Sequence, residues 1–432
     1  MNWSIIQRIT FRQRHAWSTA LLVLVTLLFY SVICLADTGV TANAPSVSYY
    51  AGLTESCCGE DPHPVHGVAT PDGGFVVVGK TITAGDGWGG FAVKVGPPNP
   101  IGIDTLLEPD ESPAFRWAVH IGQGSGKSVF LNAAATQDAV FLAGMKTEGN
   151  GNAHPYLAKR ALEDGSLIWE KSFESSQSGG HGAIEAIQIM TDGGLVAVGL
   201  MNTTYDGLEG FKSFGNPFGG QAYAFGLTPT QVRADRAPDR TDWTRTYENY
   251  ETIKAVREVP GPEGGFIFLV GSEGAPPTLI RANESGDPLW ERSYPGRFEA
   301  TDIALHMVDD VHQGYTFTGH GGENGTLDGQ LTRVGLDGAH IWTHSFGNPS
   351  GGIGAFSGLD GGDPQLIFDE CWGIQGLTDG GNIVACGTGI EGCELVNADA
   401  ELVRRCRQDP RQVWRGYVVR FDADGQVVWQ RT

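Results

Sequence analysis

Polar and aromatic side chains recur at matching places in a series of similar segments, and together they suit the binding of a polar ligand. A glutamate and a lysine would orient such a ligand by charge, and a tryptophan would stack against it. The alternative is that these side chains only line a hydrated channel. The predicted binding residues are His66, Asn132, Glu185, Lys254 and Trp372, with Ile303 at the sixth matching place and His181 nearby.

Some of these residues could instead remove a proton from a substrate. Proton abstraction next to a uronate carboxylate needs a neutral histidine or tyrosine as base and a cation that neutralises the carboxylate. Lys254 together with His66, His181 or Tyr205 would supply such a set. No motif assigns these roles, so proton abstraction stays the alternative to simple binding.

A glycine-rich stretch carries a candidate metal site. Asp360 and Asp363 flank two glycines and would offer clustered oxygen ligands to calcium. The stretch lacks the five or six spaced ligands of a recognised calcium loop, so a simple turn is the competing interpretation. No other cofactor is expected.

The composition narrows the class of protein. The chain has 432 residues with 41% apolar and 10% aromatic side chains, which excludes an intrinsically disordered protein. Glycine (63 residues) and proline (22 residues) are abundant, in keeping with a fold rich in turns. The 50 acidic and 29 basic residues give a net charge of −21, which argues against nucleic acid and anionic membranes as partners.

The first 36 residues form a separate export segment. Arg8, Arg12 and Arg14 precede an apolar run from Ala16 to Ala36, which is typical of a signal peptide. The run is also long enough to span a membrane, so retention as an anchor is the alternative to cleavage. Residues 37–432 are therefore expected outside the cytoplasm, as a secreted, periplasmic or cell-surface anchored domain. Membrane contact is expected only through the uncleaved segment.

Six cysteines remain after the export segment. An even number in an exported chain predicts up to three disulfides, and the pairing cannot be deduced from spacing alone. Two alternatives are a vicinal disulfide and a metal site, although no Cys-x-x-Cys spacing favours zinc. The disulfide candidates are Cys57, Cys58, Cys371, Cys386, Cys393 and Cys406.

Two short phrases repeat along the chain. The first is an Asp-Gly-Gly turn followed by an apolar run that ends in glycine, and its clearest copies begin at Asp72, Asp192 and Asp379. The second is an Asp-Gly or Ser-Gly turn leading into a strand with one tryptophan. Since glycine permits positive φ at a turn, both phrases predict β-hairpins. The six recurring tryptophans are Trp117, Trp169, Trp243, Trp290, Trp342 and Trp429.

Repeated hairpins predict an all-β fold. Such units cannot bury their apolar faces alone, and radial closure leaves no long exposed sheet edge. We predict a six-bladed β-propeller over residues 37–432, with seven blades or an open β-solenoid as alternatives. Residues 47–52 are expected to add a strand to the last blade and to close the ring near the termini. In this fold the matching positions named above converge at one mouth of the central channel.

The combined pattern resembles a known repeat. The turn Asp-Gly-Gly-Φ-Val-x-x-Gly, followed by a third-strand phrase at residues 91–95, 331–334 and 417–421, is similar to the repeat of secreted bacterial and archaeal β-propeller proteins. Those proteins are related in shape to quinoprotein-like propellers. The resemblance covers residues 46–432 and implies an architecture rather than an activity. The vicinal cysteines Cys57 and Cys58 are similar to those that quinoprotein dehydrogenases carry.

Three functions follow as hypotheses. The first is a non-enzymatic, monomeric extracytoplasmic protein that binds a glycan or an extracellular protein. The second is a polysaccharide lyase acting on a uronate-containing glycan. The third, implied by the resemblance, is a quinone-dependent dehydrogenase.

Overall fold

The protein is a six-bladed β-propeller, as predicted. The structure, a computed structural model, describes residues 60–83, 87–96, 115–122, 128–149, 151–173, 180–204, 220–261, 264–271, 276–294, 298–321, 328–347, 367–390 and 415–431. Within these ranges the chain forms six antiparallel sheets of four strands each. Every sheet is one blade made from a continuous stretch of chain, with its strands paired in sequence order.

The strands have the following bounds. Blade 1 contains β1 (Glu60–Ala69), β2 (Phe75–Thr83), β3 (Gly87–Val95) and β4 (Phe115–Ile121). Blade 2 contains β5 (Val129–Ala135), β6 (Ala139–Thr147), β7 (Ala153–Ala161) and β8 (Leu167–Ser172). Blade 3 contains β9 (His181–Ile189), β10 (Leu195–Thr203), β11 (Gln221–Leu227) and β12 (Trp243–Tyr247), with the short helix α1 (Pro229–Arg233) between its last two strands.

The other three blades follow the same plan. Blade 4 contains β13 (Thr252–Glu258), β14 (Phe266–Gly271), β15 (Thr278–Ala282) and β16 (Pro288–Ser293). Blade 5 contains β17 (Phe298–Val308), β18 (Val311–Gly321), β19 (Asp328–Val334) and β20 (His340–Phe346). Blade 6 contains β21 (Ile367–Gly376), β22 (Asn382–Ile390), β23 (Arg415–Phe421) and β24 (Val427–Arg431). The first strand of each blade contacts the first strand of the next, so these are the inner strands.

The hydrophobic core lies between neighbouring blades. Apolar residues on facing sheets pack into one cluster per blade pair, for example Phe141 and Leu157 of blade 2 with Ile184 of blade 3. Five such clusters join blades 1 through 6 in order. The fourth strands face outward, and β16 is mostly exposed. Burial between sheets therefore stabilises the stack of blades, since no single sheet covers both of its faces.

The repeated turn phrases form the hairpins that the sequence predicts. The middle glycines Gly73, Gly193 and Gly380 have φ of +83°, +88° and +84°, a region that other residues rarely adopt. A cation from the third strand holds two of these turns, because Lys94 pairs with Asp72 and Arg420 Nη2 lies 2.6 Å from Asp379 Oδ2. This pairing explains why the third-strand phrase carries a lysine or arginine.

The tryptophan of the fourth strand connects one blade to the next. The indole nitrogen of Trp117 in blade 1 donates to the carbonyl of Leu162 in blade 2 at 3.0 Å. A Cβ at Gly165 of blade 2 would lie 2.8 Å from the Trp117 ring, so only glycine leaves room for it. Equivalent pairs join later blades: Trp243 with Gly286, Trp290 with Gly338, and Trp342 with Gly425. The recurring tryptophan is thus an interblade contact.

Each inner strand contains a β-bulge at the same place. In blade 5 the bulge falls between Ala300 and Asp302, and Ala300 is paired with Gly319 of the second strand. A Cβ at Gly319 would lie 1.8 Å from the carbonyl oxygen of Glu299. Gly144 and Gly199 face the same conflict in blades 2 and 3, with 2.0 and 2.1 Å. In blades 2, 3 and 5 the glycine that ends the apolar run is therefore required by the bulge.

Several predictions concern residues outside the described ranges. These are the export segment 1–36, the ring-closing segment 47–52, the calcium candidates Asp360 and Asp363, and the base candidate Tyr205. Among the described residues, no helix is long and apolar enough to cross a membrane.

Candidate functional site

Each of the six inner strands has one extra, bulged residue, and these six residues occupy equivalent positions near one end of the propeller. They are Val65, Leu131, Glu185, Lys254, Thr301 and Trp372. The sequence alignment of these positions was right for Glu185, Lys254 and Trp372. His66 and Asn132 lie one residue beyond the bulge and Ile303 lies two beyond it. The extra residue of a bulge caused this offset, because it shifts the alternation of side chains.

The two halves of this end differ in chemistry. In blades 1 to 3, apolar residues that include Leu131, Met145 and Leu200 form a cluster of their own, with Val65 packed against it. In blades 4 to 6, the inner and second strands bring together Lys254, Glu299, His320 and Trp372, which we name the inner-strand cluster. Polar and aromatic side chains are therefore gathered on the side of blades 4 to 6, and their role in ligand binding stays a prediction.

The inner-strand cluster is organised around a carboxylate. Lys254 Nζ pairs with Oε1 of Glu299, and His320 Nε2 lies 3.9 Å from Oε2 of the same side chain. The ring centroid of Trp372 lies 4.7 Å from that of His320, at an interplanar angle of 69°. Glu299 and His320 are direct partners across β17 and β18, which fixes their separation.

Burial differs sharply within the inner-strand cluster. The side chains of Lys254 and His320 are 2% and 5% exposed, whereas that of Glu299 is 34% exposed. Trp372 is half-buried. The carboxylate of Glu299 and the indole of Trp372 are thus the groups that solvent reaches, and the buried lysine and histidine pack against them.

The environment keeps His320 neutral. Burial lowers the pKa of the His320 imidazole, and the Lys254 ammonium lowers it further, against opposing effects from Glu299 and the Cys371 carbonyl. His320 Nδ1 lies 3.4 Å from that carbonyl oxygen, which only accepts hydrogen bonds, so the proton of the neutral ring is expected on Nδ1.

A disulfide lies directly beside the cluster. Cys371, which precedes Trp372, is bonded to Cys386 on the neighbouring strand. Cys386 stands where blades 2, 3 and 5 have the glycine opposite the bulge. This pair confirms one predicted disulfide, while Cys57, Cys58, Cys393 and Cys406 lie outside the described residues.

Other predicted binding residues have structural partners instead. The Asn132 side-chain oxygen accepts a hydrogen bond from the Ile187 amide of the next blade at 3.3 Å. His181 Nδ1 accepts one from the Ala153 amide at 3.0 Å. His66 lies in blade 1, opposite Val78 of β2, and is half-buried. These three residues are not part of the inner-strand cluster.

Glu185 is buried in blade 3, close to a tyrosine. Its side chain is 3% exposed, and Tyr223 is 1% exposed. Burial raises the pKa of the Tyr223 hydroxyl, and the negative charge of Glu185 raises it further. Glu185 is not part of the inner-strand cluster, and its role in binding stays a prediction.

Sequence reasoning missed Glu299, His320 and the structural role of Asp302. Asp302 Oδ1 accepts from Arg257 of blade 4 at 2.9 Å, and its Oδ2 accepts from the Ile374 amide of blade 6 at 3.1 Å. His320 directly follows Gly319, the glycine that ends the apolar run of blade 5, and this position was visible in the sequence. Glu299 had no comparable signal, because its partner is set by strand register.

No group of three or more metal-ligating side chains is arranged to hold an ion within the part of the chain that the structure describes. The calcium hypothesis for Asp360 and Asp363 therefore stays a prediction from sequence.

Comparison with known proteins assigns the chain to no family. No family model and no curated protein matches the chain. Among solved structures, the chain is similar to the quinohemoprotein alcohol dehydrogenase ADHIIG from Pseudomonas putida HK5, with 11% identity and a TM-score of 0.40 over 83% of this chain and 57% of that one. It is also similar to Chaetomium thermophilum Sqt1 bound to the N-terminus of ribosomal protein L10, with 12% identity and a TM-score of 0.42 over 73% and 66%. This chain thus spans about two thirds or less of either structure.

Proposed function

We propose that this propeller is a non-enzymatic extracytoplasmic binding protein and that it holds a glycan at the inner-strand cluster. The observation that carries the proposal is that a half-buried indole, Trp372, and a partly exposed carboxylate, Glu299, both lie against His320 at the end where the inner strands begin. An aromatic face packs against the C–H face of a sugar, and a carboxylate accepts hydrogen bonds from its hydroxyls. The two groups together suit a neutral sugar.

The supporting residues favour binding over catalysis. Lys254 is committed to Glu299, and His320 is buried with its Nδ1 engaged by a carbonyl. A general base must reach the proton it removes within about 3 Å, directly or through one water. Neither the lysine nor the histidine is exposed enough for that contact. Their role is to fix the carboxylate in place.

The charge of the chain favours a neutral glycan over a polyuronate. The formal net charge of −21 repels anionic polymers at long range. The one cation of the cluster, Lys254, is already neutralised by Glu299. A uronate carboxylate would therefore meet no free positive charge at this place.

Glycan-array screening followed by calorimetry tests the proposal. We expect a neutral glycan to bind the parent protein, Trp372→Ala to weaken binding by tenfold or more, and Trp372→Phe to retain most of it. Trp290→Phe is the matched control, because Trp290 lies on the outer strand of blade 4. Equal affinity of Trp372→Ala and the parent protein would overturn the assignment of this site.

A uronate lyase is the second candidate function. One observation favours it: a neutral imidazole, His320, lies in the same cluster as an ammonium group, Lys254. Incubation with uronate polymers, followed by absorbance of the unsaturated product, tests it directly. Growth of that band, with its loss in His320→Gln, would replace the binding-only proposal. A quinone-dependent dehydrogenase is a third hypothesis, and release of a quinone on denaturation would establish it.

A further inference from the structure

A concave groove opens at the opposite end of the propeller, between blades 3 and 4. It encloses about 500 Å³. Its walls come from the turn after β9, the connections on either side of α1, the end of β13 and the β15–β16 turn. Glu258, the last residue of β13, lies in its wall, whereas the inner-strand cluster involves the beginnings of the inner strands. The groove is therefore a separate surface.

Carboxylates supply all the charged groups that line the groove. They are Asp192, Asp242, Glu258 and Glu284, and the described residues of the lining include no lysine, arginine or histidine. Two of them are held by the protein: Asp192 accepts from the Gly194 amide at 2.7 Å, and Glu258 accepts from both the amide and the hydroxyl of Thr191 at 2.7 and 2.8 Å.

The other two carboxylates are available to a partner. Asp242 and Glu284 are exposed, and neither side chain has a hydrogen bond or ion pair within the described residues. The nearby guanidinium of Arg281 is buried and donates to the carbonyls of Gly264, Phe266 and Ala282. It therefore supports the backbone of the groove and does not offer a free donor to Glu284.

The groove also has an apolar wall. Pro260 is exposed and Pro229 and Trp243 are half-buried, and these three present its apolar surface, with the buried Leu227, Val259 and Phe266 beside them. A long basic side chain matches this combination, because its methylene stem packs on apolar surface while its charged head reaches carboxylates. A guanidinium group can moreover bind two carboxylate oxygens at once.

We propose that this acidic groove docks an arginine-containing segment of another protein. Charge complementarity selects the occupant, since four carboxylates and the net charge of −21 attract a basic segment and repel an acidic one. The absence of a metal-holding arrangement among the described residues favours an organic cation over a divalent ion. The groove is independent of the glycan proposal, and either can fail alone.

Fluorescence anisotropy with a labelled (Gly-Arg)5 peptide tests the groove, with (Gly-Glu)5 as the acidic control. We expect the basic peptide to bind, the acidic peptide not to bind, and affinity to fall at least fivefold between 50 and 300 mM NaCl because ion pairs are screened. The double variant Asp242→Asn/Glu284→Gln should weaken binding of the basic peptide at least tenfold.

A matched variant separates the groove from overall charge. Glu163→Gln/Asp424→Asn removes the same two negative charges from exposed β-turns in blades 2 and 6, and Glu163 occupies the place in its turn that Glu284 occupies in the β15–β16 turn. We expect this control to change affinity less than twofold. Equal losses in the two double variants, or no preference for the basic peptide, would overturn the proposal. Photo-crosslinks from the peptide should fall at residues 258–261 or 264–266, and crosslinks confined to other blades would also overturn it.

Discussion

Replacing Gly319 by alanine should destabilise the propeller through one steric conflict. The added Cβ would lie 1.8 Å from the carbonyl oxygen of Glu299 and 2.7 Å from Cα of Ala300. Ordinary contacts of a Cβ begin near 3.4 Å, so β17 and β18 must separate locally by more than an ångström. Overpacking a core usually costs about 1–3 kcal/mol, and a backbone atom cannot rotate away, so we expect a loss of about 3 kcal/mol or more.

A second glycine provides the control. Gly416 also lies in a strand, β23, and a Cβ there would meet nothing within 4 Å. Alanine at this place should leave stability unchanged or raise it by about 0.5 kcal/mol, since glycine is disfavoured in strand interiors. Urea unfolding followed by circular dichroism would compare the midpoints of the two variants with the parent protein.

The outcome that refutes the bulge argument is specific. If Gly319→Ala and Gly416→Ala unfold within 1 kcal/mol of each other, the bulge is soft enough to accept a side chain. The glycine opposite the bulge in blades 2, 3 and 5 would then need another explanation. Gly144→Ala and Gly199→Ala extend the test to blades 2 and 3, where the conflicting atoms are again backbone carbonyls.

Three further predictions concern buried polar groups. Burial lowers the pKa of His306 to about 4, so between pH 6.5 and 4 the unfolded chain binds a proton that the folded chain does not. The free energy of unfolding should therefore be full above pH 6.5 and fall by up to about 3 kcal/mol as the pH drops towards 4. Thermal melts of His306→Gln should show a shallower fall. Asp302→Ala removes the acceptor of the Ile374 amide and should lower the free energy of unfolding by about 2–4 kcal/mol, whereas Asp302→Asn, which keeps an acceptor, should cost less in the same urea assay. Lys254→Met leaves Glu299 without its cation and should lower the free energy of unfolding, and the double variant Lys254→Met/Glu299→Gln should recover part of that loss. A double-mutant cycle that shows no coupling energy between the two positions would contradict the ion pair.

The architecture could be predicted because its signals are local. Asp72, Asp192 and Asp379 each begin a turn whose glycines need positive φ, and such turns are legible within a few residues. The recurring tryptophans were equally visible in the sequence, although their contact with the next blade was not. Blade number followed from counting these phrases.

The site was harder to predict because it depends on strand register. One bulged residue moved His66 and Asn132 away from the positions that the alignment assigned to them. Glu299 and His320 are 21 positions apart and meet only because β17 and β18 pair in one register. The acidic groove was beyond prediction because its walls come from two blades and from a helix inserted in one of them.

The direction of the tryptophan contacts has a consequence for synthesis on the ribosome. Strands pair within one continuous stretch, so each blade can form soon after its last residue emerges. In blades 1, 3, 4 and 5 the indole packs against a glycine that is translated later, as Trp290 of blade 4 packs against Gly338 of blade 5. A nascent chain stalled after blade 4 would expose that ring to chaperones, and elongation by one more blade would cover it.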